Sequence, residues 1–293
     1  GLALSFMLPG SFGQNCSYLG TITIDFSDKY GIMALFLNKK LTKRGEIMRK
    51  SLIVTLALSL TLALAGCGKA ANDGADVKGE GVMTYADYVA ADVDSEVVVE
   101  TYVQAKQGWW ENEGVGVATF YTQDKDGAYF LYNMPCSKED YDKLTEGTKI
   151  KVTGYKSEWA GEVEIIDATY EIEDGSYVAE AADMTSLLGT DDLIKHQNER
   201  VAFKGMTVEA ANDNGDAFMY NWDGSGSEGD DLYFNVSYNG ETYTFTVESY
   251  LCGPDTDVYQ AVKALEVGQT VDMEGFLYWY EGVNPHITSV TVK

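Results

Sequence analysis

The stretches EGTKIKVTGY (residues 146–155) and VGQTVDMEGF (residues 267–276) decide the fold. In each, apolar residues alternate with polar ones before a glycine, the period-two pattern of a strand with one buried face. Laid on one another at an offset of 121, they also bring Leu144 onto Leu265, Gly147 onto Gly268, Gly154 onto Gly275, Gly161 onto Gly282 and Ile166 onto Ile287. Five identities in one window mark an internal duplication, so each element beside one stretch has a counterpart beside the other.

Working outward, the first copy shows β-rich runs at 96–105, 115–123 and 128–133, the last two joined by Asp124-Lys125-Asp126-Gly127 as a hairpin. A short helix is predicted over 137–144, with Ser137 as N-cap and Asp140 three residues on. Strands at 148–158 and 162–172 follow, turning at Ala160-Gly161. The second copy repeats this with strands at 200–210, 232–238 and 242–249, and Asn239-Gly240 between the last two. Asp255 then caps a helix running to Leu265, and strands at 269–280 and 284–292 close the copy. Short helices are also expected before each first strand, at 84–89 and 191–197. Three strands, a helix and two strands is the order of an OB-fold. The expected class is therefore all-β with short helices: two tandem five-stranded Greek-key barrels, over 82–175 and 176–293.

From Met48 the chain reads MRKSLIVTLALSLTLALAGCGKA, a basic start followed by an apolar run over 52–64 that is too short to span a bilayer. Residues 48–66 are read as a signal peptide. Leu64, Ala65, Gly66 and Cys67 match a lipobox, which implies a diacylglyceryl group on Cys67 and cleavage before it. Residues 1–47 begin with Gly1 and end in Arg44-Gly45-Glu46, whose codons can form a ribosome-binding site just ahead of Met48. They are read as untranslated upstream sequence. Residues 67–81 are polar and are expected to form a flexible tether. The lipobox and the duplicated strand order resemble the tandem OB-fold lipoproteins of anaerobic Gram-positive bacteria, over about residues 82–293. Many of these proteins have no assigned function. The resemblance implies placement at the cell membrane on its extracytoplasmic face. The ligands usual for the fold, oligonucleotides, oligosaccharides and proteins, follow from it only by analogy.

Charge narrows the partners. The whole chain carries a formal −25, and residues 67–293 hold 14 of its 21 basic residues and 43 of its 46 acidic ones. Phosphate recognition draws on Lys and Arg, so nucleic acid is disfavoured as a partner. Cys136 and Cys252 are the cysteines left after Cys67 and the excluded Cys16, and they are expected to be buried thiols rather than a bridge.

Candidate sites are aromatic. Trp109 and Trp110 sit where the first strand of copy one gives way to the second, and opposite orientations leave at least one of them exposed unless both cover the barrel end. Phe276 to Tyr280 form a second cluster. Leu277 and Trp279 align with Lys156 and Glu158, which places them on a solvated face if a bulge falls near Gly275 and calls for cover from the other barrel, the preferred reading, or from a ligand. Tyr278, Trp279 and Tyr280 are thus ligand candidates beside the two earlier tryptophans. Copy two also carries a 17-residue insertion within 211–231, whose Asp213, Asp216, Asp223, Asp230 and Asp231 are weak Ca²⁺ candidates in a loop better read as solvated. The lone His196 and His286 lack metal-ligand spacing, and His286 is read as a packing or rim residue. No catalytic constellation or cofactor motif occurs after Cys67. The expected function is a non-enzymatic, membrane-anchored module that binds a carbohydrate, a peptide or an envelope protein. The alternatives are a single-stranded nucleic-acid binder and an accessory module of a hydrolase.

Overall fold

The structure, a computed structural model, describes residues 77–293, which lie within one compact unit, Gly68–Lys293. It contains two closed barrels. The first is built from α1 (Tyr85–Ala90), β1 (Glu96–Lys106), β2 (Trp110–Asn112), β3 (Val115–Gln123), β4 (Ala128–Pro135), α2 (Lys138–Lys143), β5 (Thr148–Trp159) and β6 (Glu162–Ser176). The second comprises β7 (Ala182–Asp183), two 3₁₀ turns, β8 (Arg200–Glu209), β9 (Phe218–Tyr220), β10 (Leu232–Tyr238), β11 (Glu241–Val247), α3 (Asp257–Lys263), β12 (Thr270–Phe276) and β13 (His286–Val292).

Each barrel has the OB-fold strand pairing. β1 pairs antiparallel with both β3 and β5, β3 pairs with β4, β5 pairs with β6, and β4 lies parallel to β6. β8, β10, β11, β12 and β13 repeat these pairings in the same roles, with β11 and β13 meeting in parallel at Thr246 and His286. The alternation seen in the sequence fills the interiors. Leu232, Phe234 and Val236 point into the second barrel with Phe203 and Phe245, while Val97, Val99, Phe120, Leu131 and Ile150 fill the first. Ser137 caps α2 through a hydrogen bond from the Asp140 N–H, as the spacing predicts.

The paired glycines have one steric cause. A β-carbon at Gly154 would lie 2.9 Å from the Ile166 carbonyl oxygen, and one at Gly275 would lie 2.2 Å from that of His286. Both sit at bulges where the fourth strand presses against the fifth.

Several expectations need correction. Thr256, not Asp255, occupies the N-cap of α3. The strand expected over 269–280 ends at Phe276, where the Tyr278 N–H turns back to the Phe276 carbonyl. The bulge at Glu274/Gly275 is present, but Leu277 is fully buried in the core of the second barrel and does not face the first. Ile166 and Ile287 are one residue out of step, since Tyr155 faces Ile166 whereas Phe276 faces His286. The polar stretch expected to be a tether through residue 81 is already packed at Lys78, which forms a buried ion pair with Asp124. Cys136 and Cys252 are free buried thiols, one in each core, and burial pushes both up to about 11. Met48, Cys67 and the segments read as upstream sequence and signal peptide lie outside the described residues.

The barrels meet across an aromatic seam. Tyr121 and Phe130, on the outer face of β3 and β4, pack against Phe276 and Tyr278, with Tyr121 stacked on Phe276 at 4.7 Å. Polar bonds extend the seam. The Gln197 side chain accepts from the Val163 N–H and donates to the Gly161 carbonyl, Arg200 N–H donates to Gln123 Oε1, and Trp279 N–H donates to Glu162 Oε2. The face of the first barrel that corresponds to β10 and β11 is therefore occupied by the second barrel.

Candidate functional site

On the second barrel the corresponding face is open. Alternation along β10 sends Tyr233 and Asn235 outward between the buried Leu232, Phe234 and Val236, and β11 likewise turns out Thr244 and Thr246. These residues floor a cleft of about 780 Å³. One wall is the inserted acidic loop, which contributes Met219, Trp222 and Asp231, and the other is the β12–β13 connection, with Tyr278, Tyr280, Glu281 and Asn284. Trp159 reaches the cleft from the end of β5, in the first barrel, and lies 5.1 Å from Tyr280 between ring centres. A complete cleft therefore requires both barrels.

The polar floor is built by cross-strand bonds. Thr244 donates to Asn235 Oδ1 at 2.8 Å, and Thr246 donates to Asn284 Oδ1 at the same distance. His286 stacks on Tyr278 at 4.2 Å and is bonded through Nδ1 to the Tyr121 hydroxyl at 2.6 Å. Burial drives its imidazole down to about 3, so the ring is neutral at physiological pH. Burial also keeps the Tyr121 phenol protonated. Among the described residues the phenol's hydrogen-bond partner is Nδ1, and donation of its proton there puts the imidazole proton on Nε2.

The carboxylates differ in what they already hold. Glu248 accepts the Tyr250 and Leu251 N–H groups, one on each oxygen, and burial pushes it up to about 7. Asp231 spends Oδ1 on the Ser249 N–H and hydroxyl. Glu281 is exposed at the rim. No lysine or arginine lines the cleft.

The sequence candidates are distributed unevenly. Tyr278 and Tyr280 line the cleft, and Trp279 lies half-buried at the seam, against Gly161. Trp109 closes the end of the first barrel, its indole donating to the Cys136 carbonyl at 3.0 Å, while Trp110 stays 45% exposed on β2; neither joins the cleft. Of the acidic-loop candidates only Asp231 lines it. Asp216, Asp223 and Asp230 accept hydrogen bonds within their own loop, and among the described residues no three Asp, Glu, His or Cys side chains converge as a metal site. Sequence reasoning missed Trp159, Trp222, Tyr233, Asn235 and Glu248. Outward alternation on β10 was the signal available for Tyr233 and Asn235, and a lone tryptophan in a polar insertion was the one for Trp222.

No family model matches the chain, and neither does any curated protein. Similar solved structures include the p204 HINb domain (8% identity, TM-score 0.32, covering 69% of this chain and 100% of that one). A murine DNA-binding protein bound to double-stranded DNA is similar at 11% identity and a TM-score of 0.32, covering 67% and 96%. A replication protein A heterotrimer bound to single-stranded DNA follows at 10% identity and 0.29, covering 68% and 49%. Likenesses of this size assign no ligand, and the OB architecture rests on the strand pairings themselves.

Proposed function

We propose that this protein is a non-enzymatic binding module, anchored to the membrane through a lipid on Cys67, that holds an oligosaccharide in the cleft of its second barrel. One observation carries the ligand: the cleft is walled by aromatic rings, floored by hydroxyl and amide groups, and free of lysine and arginine. Sugar rings offer flat C–H faces to indoles and hydroxyls to a polar floor. A nucleic-acid backbone would bring phosphates to a cleft that holds Asp231, Glu248 and Glu281 and no counter-charge.

Titration calorimetry of residues 68–293 against a panel of β-linked oligosaccharides and an oligothymidylate tests the ligand. Trp222, 75% exposed at the rim, is the variant of choice because its loss leaves both cores intact. Trp222→Ala is expected to weaken oligosaccharide binding by about ten-fold, a stacking contribution of roughly 1–1.5 kcal/mol. Binding of the oligothymidylate and of no sugar would overturn the proposal. For the anchor, Cys67→Ala is expected to move the protein from the membrane fraction of expressing cells to the soluble one, and unchanged fractionation would count against lipidation.

A further inference from the structure

We propose that the cleft selects glycans bearing a protonated amine, that is, amino sugars whose nitrogen is not acylated. This rests on the oligosaccharide proposal and names the ligand class within it. Asp231 and Glu281 come from the two loops that wall the cleft, and both have carboxylate oxygens to which no protein group donates among the described residues. Glu248, by contrast, is already committed to two backbone N–H groups. With no lysine or arginine on the lining, these two carboxylates lack a neutralising partner inside the cleft. An ammonium group supplies that partner, and the π-faces of Trp159, Trp222 and Tyr280 favour a cation further.

A second, independent feature points to a polyhydroxylated ligand rather than a bare cation. His286 is only 7% exposed, lines the cleft, and has no protein hydrogen-bond partner at Nε2 among the described residues. A neutral imidazole N–H at the floor is a donor suited to a sugar hydroxyl oxygen, and it places no positive charge next to the amine. The occlusion of the matching face of the first barrel by Phe276 and Tyr278 predicts one such site per chain.

The test compares two trisaccharides that differ only in charge, the β-1,4 trimer of glucosamine and its fully N-acetylated form, by calorimetry near pH 6 at low salt. The amine form is expected to bind at least about ten-fold more tightly. Asp231→Asn retains the acceptor for Ser249 and, like Glu281→Gln, is expected to cut that preference about three-fold or more without changing the thermal midpoint. Glu139→Gln, at a side chain 82% exposed on α2, controls for general attraction to an acidic protein and is expected to leave the preference unchanged. Equal affinity for the two trimers would overturn amine selectivity while leaving the oligosaccharide reading intact, and binding of neither would overturn both. A preference that survives Asp231→Asn and Glu281→Gln together would also overturn it, by tracing the selectivity to net charge rather than to the cleft.

Discussion

Replacing Lys78 with alanine is expected to destabilise the protein by about 3–5 kcal/mol, the range for removing one partner of a buried ion pair. The Lys78 ammonium lies 2.5 Å from Asp124 Oδ2, and the two side chains are 6% and 0% exposed. Asp124 organises the β3–β4 turn: Oδ1 accepts the Asp126 and Gly127 N–H groups, and Oδ2 accepts the Tyr129 hydroxyl. Lys78 also donates to the Glu100 carbonyl. Without the cation, a carboxylate remains in the protein interior with only dipoles around it. The double variant Lys78→Met with Asp124→Asn removes both charges and is expected to recover a large part of the loss, because the uncompensated charge, not the missing contact, carries most of the cost. Urea denaturation of the single and double variants measures this. A loss below about 1 kcal/mol in Lys78→Ala would mean that water screens the pair, as at a surface. This pair also sets the reach of the proposed anchor. If packing begins at Lys78, eleven residues past Cys67, the barrels stand at most roughly 36 Å from the lipid, at about 3.3 Å per residue.

Glu162→Gln is expected to flatten the dependence of stability on pH between about 5 and 8. Glu162 is fully buried at the barrel seam, with Oε2 accepting the Trp279 N–H while Oε1 has no partner, and Asn198 Oδ1 nearby is likewise unpaired. Burial pushes this carboxyl up to about 8. The Asn198 side chain and the Trp279 N–H favour the charged form and offset part of that rise, but burial outweighs them and the acid form prevails. The folded pKa lies above the unfolded one, so the folded state holds the extra proton between about 4.5 and 8. Stability is greatest at the acid end, falls as pH rises through that window, and levels off above it, by on the order of 3–5 kcal/mol from this group. Glu164 and Glu248, each pushed up to about 7 by burial, add slopes of the same sign. Glutamine at 162 has no titrating proton and still accepts from Trp279 through its amide oxygen, so the variant keeps only the slope of the other carboxyls. Thermal midpoints of both proteins at pH 5, 6.5 and 8 decide it; parallel curves would show that Glu162 is ionised in the folded protein throughout.

The duplication and the barrel strands were legible in the sequence because their causes are local. A strand with one buried face must alternate, so Leu232, Phe234 and Val236 announced themselves as core and left Tyr233 and Asn235 outside. Gly154 and Gly275 matched because the same near-contact between adjacent strands forbids a β-carbon in both copies. Ser137 was identified as a cap because a hydroxyl three residues before a helical N–H has that bond within reach.

The cleft depended on contacts between residues far apart in the chain. Trp159 and Trp222 come from different barrels and meet one cavity only because Tyr121 and Phe130 dock against Phe276 and Tyr278. That docking closes one OB face and leaves the other open, a choice that alternation cannot express, since Tyr121 and Tyr233 are both outward aromatics on equivalent strands. Leu277 turned inward for a related reason: β12 stops at Phe276, and two backbone bonds, from Leu277 N–H to the Glu199 carbonyl and from Asn198 N–H to the Leu277 carbonyl, rotate it off the strand pattern. Sequence alone determined which residues face in and which face out along each strand, through the fixed geometry of the pleat. Which outward faces remain free to bind was decided only by tertiary structure, because that depends on what two complete barrels bury against each other.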